Sequence, residues 1–377
     1  MFSHALKLFT LRGFDIRVDP SWVLIAALIT WSLSQQYFPM TVPGLTQSQY
    51  LSMAVIAMLA FFASLLLHEL AHATVARRYG VNTSSITLFL FGGVAELEDE
   101  PSSAAAEFWI AIAGPAASCG LAFGFWVLAG TPWLDPPARQ VLSYLATINL
   151  IIAVFNMMPA YPLDGGRVLR AWIWNRSGDL LKATETAARS GTIFAYILMG
   201  LGVVSLFQGA QVAGIWQLLI GGFLLIAARS ALQHQMTKTV FAHKTVAQLM
   251  TAHPIVTSPD LSLADLANQI MLRHRISFVP VVEDGVLLGQ VDSAVLGSID
   301  RENWINTRVG DVYVALSAEI SVSPDLSASA LLARMTQTGR RKFLVADHRT
   351  LVGVISLSDL LEYIALHQTL GLDQRRK

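Results

Sequence analysis

The sequence predicts a polytopic α-helical membrane domain followed by a soluble α/β domain. The 377 residues are 54% hydrophobic and only 14% charged, which is too apolar for a soluble protein of this length. The long apolar runs lie before residue 232, and each reaches or approaches the roughly 20 residues that a spanning helix requires. Residues after about 240 have the composition of a soluble domain and contain an internal repeat.

The apolar runs predict six membrane spans, with a small membrane-associated strand segment between the second and the third. That segment, 84–97, is rich in strand formers and is broken by Gly92 and Gly93, so we expect a hairpin or a sheet edge. Lysine and arginine are abundant at alternate ends of the spans, which predicts that both termini are cytoplasmic. The predicted spans are 21–38, 51–77, 104–130, 140–158, 191–208 and 212–229.

Charge and cysteine content exclude several classes of protein. The formal net charge is zero, so no nucleic-acid partner is indicated. The single cysteine, Cys119, excludes an intramolecular disulfide framework and a cysteine-rich zinc site. The residues before the first span lack a small-residue cleavage site, so we expect a membrane anchor and not a cleaved signal peptide.

The second predicted span contains the motif His-Glu-Leu-Ala-His. His68 and His72 lie at positions i and i+4, so on a helix they share one face and can coordinate one zinc ion. Glu69 would then lie beside the metal-bound water. The alternative is a helix end with two histidines near the lipid headgroups. Ionisable groups in hydrocarbon cost roughly 2 kcal/mol or more each, which favours a functional role.

A second irregular segment, 155–167, ends the fourth predicted span. Its two prolines and two glycines forbid a continuous helix, and such backbone is tolerated at membrane depth only beside protein or a water-filled cavity. Catalytic zinc usually has three protein ligands and a water. Asp164 is the only acid in the segment and is the best candidate for the third ligand, the alternative being a turn or cap aspartate.

These two motifs together resemble the site-2 protease family of intramembrane zinc metalloproteases, over residues from about 10 to 230. The second motif reads Asn156-x-x-Pro-x-x-Pro-Leu-Asp-Gly. The resemblance implies zinc ligation by three side chains, a glutamate as general base, and an asparagine that hydrogen-bonds the substrate carbonyl or oxyanion. It also matches Ser118 to a position after a Gly-Pro pair where many members have asparagine. The implied residues are His68, His72 and Asp164 as ligands, Glu69 as base, Asn156 as carbonyl donor, and Ser118 as a candidate oxyanion or substrate contact.

The soluble part repeats at an offset of about 65 residues, as 246–301 and 309–365. Each copy has the order strand, helix, strand, strand, helix, and resembles one half of a tandem CBS-domain pair. We therefore expect residues 1–232 to form the membrane domain and 233–245 to link it to the pair. The last residues, 366–377, would form a C-terminal tail.

The CBS resemblance implies an adenine nucleotide, ATP or AMP, between the repeats. Ser356 and Asp359 match the family's ribose-binding Ser/Thr-x-x-Asp, whereas the first copy has no match, so one site is expected. The basic run 340–342 is interpreted either as a phosphate contact or as a solvated turn. The resemblance also predicts a homodimer through the CBS domains.

The leading hypothesis is a multi-pass protease of a plasma or inner cell membrane that cleaves single-span membrane proteins. It would release a cytoplasmic effector, or alternatively clear membrane remnants, under control of the CBS pair. A CBS-gated ion transporter or channel is the alternative, with the intramembrane His, Glu and Asp lining an ion path. An inactive scaffold is a third reading, disfavoured by the complete ligand set.

Overall fold

A computed structural model of the chain separates into two compact units, Met1–Gln235 and Met236–Lys377. The predicted fold class is confirmed, because the first unit is largely long apolar helices and the second is an α/β repeat. Residues 371–377 of the expected tail and 242–243 of the expected linker lie outside the described residues. The structure describes residues 5–81, 83–89, 92–97, 100–241 and 244–370.

Most helices of the first unit are joined by short connections, the exception being the segment 79–103, which contains two strands. One helical segment begins at Ser21 and ends at Thr41, and a π-helical turn at Leu33–Tyr37 divides it into α1 and α2. The helices are α1 (Ser21–Ser32), α2 (Phe38–Thr41), α3 (Gln47–Arg78), α4 (Ala104–Ala129), α5 (Pro136–Asn156), α6 (Asp164–Ser177), α7 (Leu180–Phe207) and α8 (Gln211–Phe241).

Five helices of the described chain are long and apolar enough to cross a membrane, one fewer than the six spans predicted. They are α3, α4, α5, α7 and α8. The predicted first span, 21–38, is helical but is divided by the π-helical turn, where the amide of Phe38 bonds the carbonyl of Leu33. A turn of this kind takes in one extra residue, which hydropathy does not reveal.

The boundaries of the last two spans also differ from prediction. α7 begins eleven residues early, at Leu180, because the side chain of Asp179 accepts a hydrogen bond from the amide of Lys182 and caps the helix. α8 continues to Phe241, so most of the predicted linker, 233–245, is helical. Phe241 is buried in the apolar core of the second unit.

The predicted strand segment forms a hairpin within a larger sheet than expected. β3 (Thr83–Phe89) and β4 (Gly92–Leu97) are antiparallel, and β3 also pairs in parallel with β2 (Phe14–Val18). β2 in turn pairs with β1 (Leu6–Leu11), so the order is β1-β2-β3-β4 and β4 lies at one edge. The two N-terminal strands were not predicted, although Arg12 and Gly13 adopt positive φ and form the turn between them.

α4 is the helix around which the site is organised, since it packs against α3, α5 and α6. α6 follows a loop, 157–163, that leaves the end of α5. Gly166 and Gly191 both approach the backbone of Tyr161 in this loop so closely that a Cβ would collide with it. The loop is therefore clamped between α6 and α7.

The second unit contains two copies of the predicted repeat, each built on an antiparallel hairpin. The hairpins are β6–β7 and β10–β11, and both have a register shift two residues before their turn. The strands are β5 (Thr251–Ala252), β6 (Phe278–Glu283), β7 (Val286–Asp292), β8 (Val314–Ala315), β9 (Ser321–Val322), β10 (Lys342–Asp347) and β11 (Thr350–Ser356). The helices are α9 (Val246–Leu249), α10 (Leu263–Asp265), α11 (Ser293–Gly297), α12 (Ala328–Thr338) and α13 (Leu357–Thr369), with a π-helical stretch at Leu266–Leu272 and 3₁₀ turns at Arg301–Asn303 and Val309–Asp311.

Gly191→Ala tests whether the close contact between α7 and the 157–163 loop stabilises the first unit. Alanine would force its Cβ into the carbonyl of Tyr161, and such overpacking costs about 1–3 kcal/mol. We expect a lower thermal midpoint in detergent. Gly200→Ala is the matched control, because Gly200 lies on the same helix with nothing within 4 Å of an added Cβ. An unchanged midpoint for Gly191→Ala would contradict the clamp.

Candidate metal centre

Two histidines project from one face of α3 into the protein interior. His68 is 2% exposed and His72 is 6% exposed, and their Nε2 atoms lie 3.2 Å apart. Their i, i+4 spacing on a continuous helix produces this proximity. The helix extends well beyond the motif in both directions, so the pair is held on rigid backbone.

Asp164 completes the cluster from a different part of the chain. It is the first residue of α6, and its Oδ2 lies 3.3 Å from Nε2 of each histidine. The next residue, Gly165, fits because a Cβ would meet the carbonyls of Met157 and Met158. The 157–163 loop and the glycine together return the aspartate to α3.

The geometry and chemistry of this cluster fit a zinc ion. Ligands about 2.0–2.1 Å from a tetrahedral zinc are about 3.3 Å from one another, which matches the separations observed. The ligand atoms of His68, His72 and Asp164 all lie within 4.8 Å of one another, and all three residues are buried. Two imidazoles and a carboxylate also leave a fourth position open, as in catalytic zinc sites.

The far nitrogen of each imidazole is engaged by α4, which fixes the orientation of the rings. Nδ1 of His72 donates to the carbonyl of Ile110 at 2.6 Å, and Nδ1 of His68 lies 2.9 Å from Oγ of Ser118. Gly114 lies between these two contacts, and a Cβ there would collide with both Nε2 atoms. Second-sphere hydrogen bonds of this kind set the tautomer and aim Nε2 at a metal.

The cluster opens onto a cavity of about 330 Å³. Glu69 and Asn156 line it together with the three cluster residues, so five of the predicted site residues meet in one place. Gly93 of β4 also lines the cavity and lies against Glu69, since a Cβ there would be 2.6 Å from its Cγ. The edge strand therefore passes directly beside the predicted general base.

Ser118 does not line this cavity. It is 1% exposed and contacts the face of His68 that points away from Asp164. This contact favours a role in orienting His68 over the predicted contact with an oxyanion or substrate.

Three residues beside the cluster had no role in the predictions from sequence: Ile110, Gly114 and Arg167. Gly114 belongs to the Gly-Pro pair that the family resemblance matches, but no contact with the histidines was predicted for it. Ile110 acts through a backbone carbonyl, which any residue would supply. Arg167 lines the cavity and carries a charge near Glu69 and Asp164. The sequence feature that could have identified Arg167 is the Asp-Gly-Gly-Arg run, which puts it one helical turn after Asp164.

The second unit has its own cavity, of about 370 Å³, between the two repeats. Ser356 and Asp359 line it, and Oδ2 of Asp359 accepts hydrogen bonds from the amide and hydroxyl of Ser356 at 2.7 and 2.9 Å. Of the basic run 340–342, Lys342 lines the cavity. Arg340 instead lies 3.6 Å from Glu319, in an ion pair.

Comparison with known proteins matches two families to different parts of the chain. The family model for peptidase family M50 matches residues 56–135 and 131–201, and the CBS-domain model matches 246–294 and 309–366. Rip3 of Mycobacterium tuberculosis is 38% identical over 97% of this chain and 94% of its own. The zinc metalloprotease MJ0392 of Methanocaldococcus jannaschii is 28% identical over 97% of each chain. The solved site-2 protease from the same archaeon is 27% identical, with a TM-score of 0.42 over 61% of this chain and 95% of its own.

The long apolar helices and the buried His-His-Asp cluster are the features expected of a multi-pass membrane metallopeptidase. The chain belongs to peptidase family M50, and it is a zinc metalloprotease of the site-2 type that carries a C-terminal CBS-domain pair. The alternative of a CBS-gated transporter is not favoured, because relatives that match nearly the whole chain include a named zinc metalloprotease.

Ser118→Ala tests whether the α4 contacts tune the metal centre. Losing the hydrogen bond to His68 Nδ1 should weaken zinc binding about 10–100-fold, the usual effect of removing a second-sphere partner. Competition with a chelating dye measures the affinity. Cys119→Ala, at the next and exposed position of α4, should leave it unchanged. Equal affinity in the two variants would show that Ser118 does not orient the ligand.

Gly114→Ala tests the close approach of α4 to the histidines. The added Cβ would occupy the space beside both Nε2 atoms, so we expect loss of stoichiometric zinc from the purified protein. Gly120→Ala lies on the same helix, and an added Cβ there meets nothing within 4 Å. Metal analysis of both variants decides the point, and full zinc occupancy in Gly114→Ala would contradict the geometry.

Proposed function

We propose that His68, His72 and Asp164 hold one zinc ion and that this centre hydrolyses peptide bonds in or near transmembrane segments. The convergence of the three ligand atoms, with Glu69 lining the same cavity, is the observation that carries the proposal. When bound, zinc supplies Lewis acidity, which lowers the pKa of a coordinated water and polarises the scissile carbonyl.

The protein side chains perform the proton transfers and position the substrate. Glu69 accepts a proton from the attacking water and returns it to the leaving amine, as a general base and then a general acid. Asn156 lines the cavity and has an amide that can donate to the carbonyl oxygen as negative charge develops on it. The buried histidines are held by α4, so they need not reorganise during the reaction.

Glu69→Gln tests this assignment directly. The amide cannot accept the proton, so cleavage of single-span membrane peptides by the purified protein should fall by at least about 100-fold. Zinc content should stay near one per chain, because Glu69 is not a ligand in the proposal. A variant that retains wild-type cleavage would remove Glu69 from the mechanism, and a zinc chelator added to the wild type gives the matching metal-free comparison.

The substrate class follows from the position of the site among apolar helices. A substrate helix hides its carbonyls in hydrogen bonds, so it must unwind before hydrolysis. β4 is an edge strand that runs past Glu69, and an unwound peptide can add to such an edge through backbone hydrogen bonds. We therefore propose that β4 holds the substrate as an extra strand, whereas β3 is already paired on both sides.

Proline scanning of β4 tests the strand-addition proposal. In neighbouring residues such as Val94 and Ala95, one amide faces β3 and the other faces the open edge. Proline at the outward-facing position should abolish cleavage and spare the thermal midpoint, while proline at the inward-facing position should lower the midpoint. Cleavage that survives the outward substitution would mean that the hairpin only shapes the cavity.

The charge pattern supports a cytoplasmic location for both termini and the CBS pair in a plasma or inner cell membrane. Cleavage would then release a cytoplasmic effector from a single-span protein, or clear membrane remnants. The CBS-domain pair also supports a homodimer, which the mass of the detergent-solubilised protein would test.

We further propose that the cavity of the second unit binds an adenine nucleotide. Ser356 and Asp359 offer hydroxyl and carboxylate acceptors for a ribose, and Lys342, His253 and Arg275 line the same cavity with groups suited to phosphates. Nucleotide occupancy would regulate proteolysis through the CBS pair.

Lys342→Met tests the phosphate contact. Removing the ammonium should weaken ATP and AMP binding about 10-fold or more, measured by calorimetry on the full chain. Arg340→Met is the control, because Arg340 pairs with Glu319 and does not line the cavity. Equal losses in both variants would indicate a general charge effect and would contradict a specific site.

A further inference from the structure

A buried ion pair links α6, the helix that begins at Asp164, to α4, the helix that contacts the outer nitrogens of both histidines. Nε of Arg170 on α6 donates to Oε1 of Glu107 on α4 at 2.6 Å, and Nη2 contacts the same oxygen. Glu107 is 0% exposed and Arg170 is 6% exposed. The guanidinium also lies over the ring of Tyr161, 5.1 Å from its centroid.

Stability alone is a poor explanation for this pair. Removing two charges from water carries a desolvation penalty that can exceed their mutual attraction, so apolar replacements of similar size are often no less stable. The pair is also incompletely satisfied, because Oε2 of Glu107 is buried with no hydrogen-bond partner within the described ranges. The best-attested use of such a pair is to fix the register of the elements that it joins.

The pair joins α4 and α6, and the register between these two helices determines where Asp164 lies relative to the histidines. Glu107 lies one turn before Ile110, whose carbonyl fixes His72, and Arg170 lies on the helix that begins at Asp164. Tyr161, beneath the guanidinium, belongs to the loop that leads into Asp164. A shift of α6 along α4 would therefore move Asp164 relative to histidines that α4 holds in place.

We propose that the Glu107–Arg170 pair is a positioning device that sets Asp164 against His68 and His72 and so completes the metal centre. The inference rests on the proposed ligand set. It assigns both residues a role through Asp164 and not through contact with substrate.

Zinc affinity tests the inference without any measurement of proteolysis. Arg170→Met and the double variant Glu107→Leu with Arg170→Met should both weaken zinc binding about 10–100-fold, as second-sphere changes do. The double variant leaves no unpaired charge, so it should keep a thermal midpoint near that of the wild type. Arg170→Lys keeps the charge but loses the planar fork, and it should show an intermediate loss.

Arg176→Met is the matched control on the same helix. Arg176 is exposed, and its guanidinium stacks on the ring of Trp172, 4.4 Å from the ring centroid. Its zinc affinity should equal that of the wild type. The visible spectrum of the Co²⁺-substituted protein adds a second readout, since loss of the carboxylate from its position should change the coordination bands in Arg170→Met and not in Arg176→Met.

A double-mutant cycle with Asp164→Ala tests whether the Glu107–Arg170 pair affects zinc binding through Asp164. If the pair acts through Asp164, then adding Arg170→Met to Asp164→Ala should cause no further loss of zinc affinity. A folded Arg170→Met protein that binds zinc with wild-type affinity would overturn this inference and leave the proposed ligand set standing. The same holds if Arg170→Met lowers zinc affinity as much in the Asp164→Ala variant as it does in the wild type. Wild-type affinity in Asp164→Ala by itself would instead overturn the proposed ligand set, and the inference with it.

Discussion

The structure of the first unit depends on bringing a carboxylate to two histidines inside a domain of apolar helices. Each of these groups is costly in hydrocarbon, so they must be buried together and satisfied by one another or by a metal. His68 and His72 come together through helix geometry alone. Asp164 must arrive from elsewhere, and the broken backbone between α5 and α6, packed against glycines of α6 and α7, brings it there.

α4 supports this arrangement without contributing a ligand. Its backbone carbonyl at Ile110 and its hydroxyl at Ser118 engage the outer nitrogens of the two histidines, and Gly114 lets the helix approach between them. The same helix holds α6 through a buried ion pair. The edge strand β4 lines one side of the cavity beside Glu69. The metal cluster, the helix that supports it and the strand proposed to hold the substrate are therefore neighbours.

Local sequence patterns were sufficient to predict much of the fold and to select candidate residues for the site. The His-Glu-x-x-His spacing needs only one helix, Asp164 stood out as the sole acid in a helix-breaking segment, and the CBS repeat was visible as two similar stretches. Long-range partners were not accessible in this way. The Ile110 carbonyl could belong to any residue, the Glu107–Arg170 contact joins positions 63 apart, and the π-helical turn at Leu33–Tyr37 leaves hydropathy unchanged.

X-ray absorption at the zinc edge of the purified full-length protein tests the central claim most directly. The account predicts one zinc per chain with about four nitrogen or oxygen neighbours near 2.0–2.1 Å and the outer-shell scattering of two imidazoles. Asp164→Ala should retain the imidazole signal while its inner shell and affinity change. A centre without imidazole scattering, or a chain that binds no zinc when folded, would contradict the account.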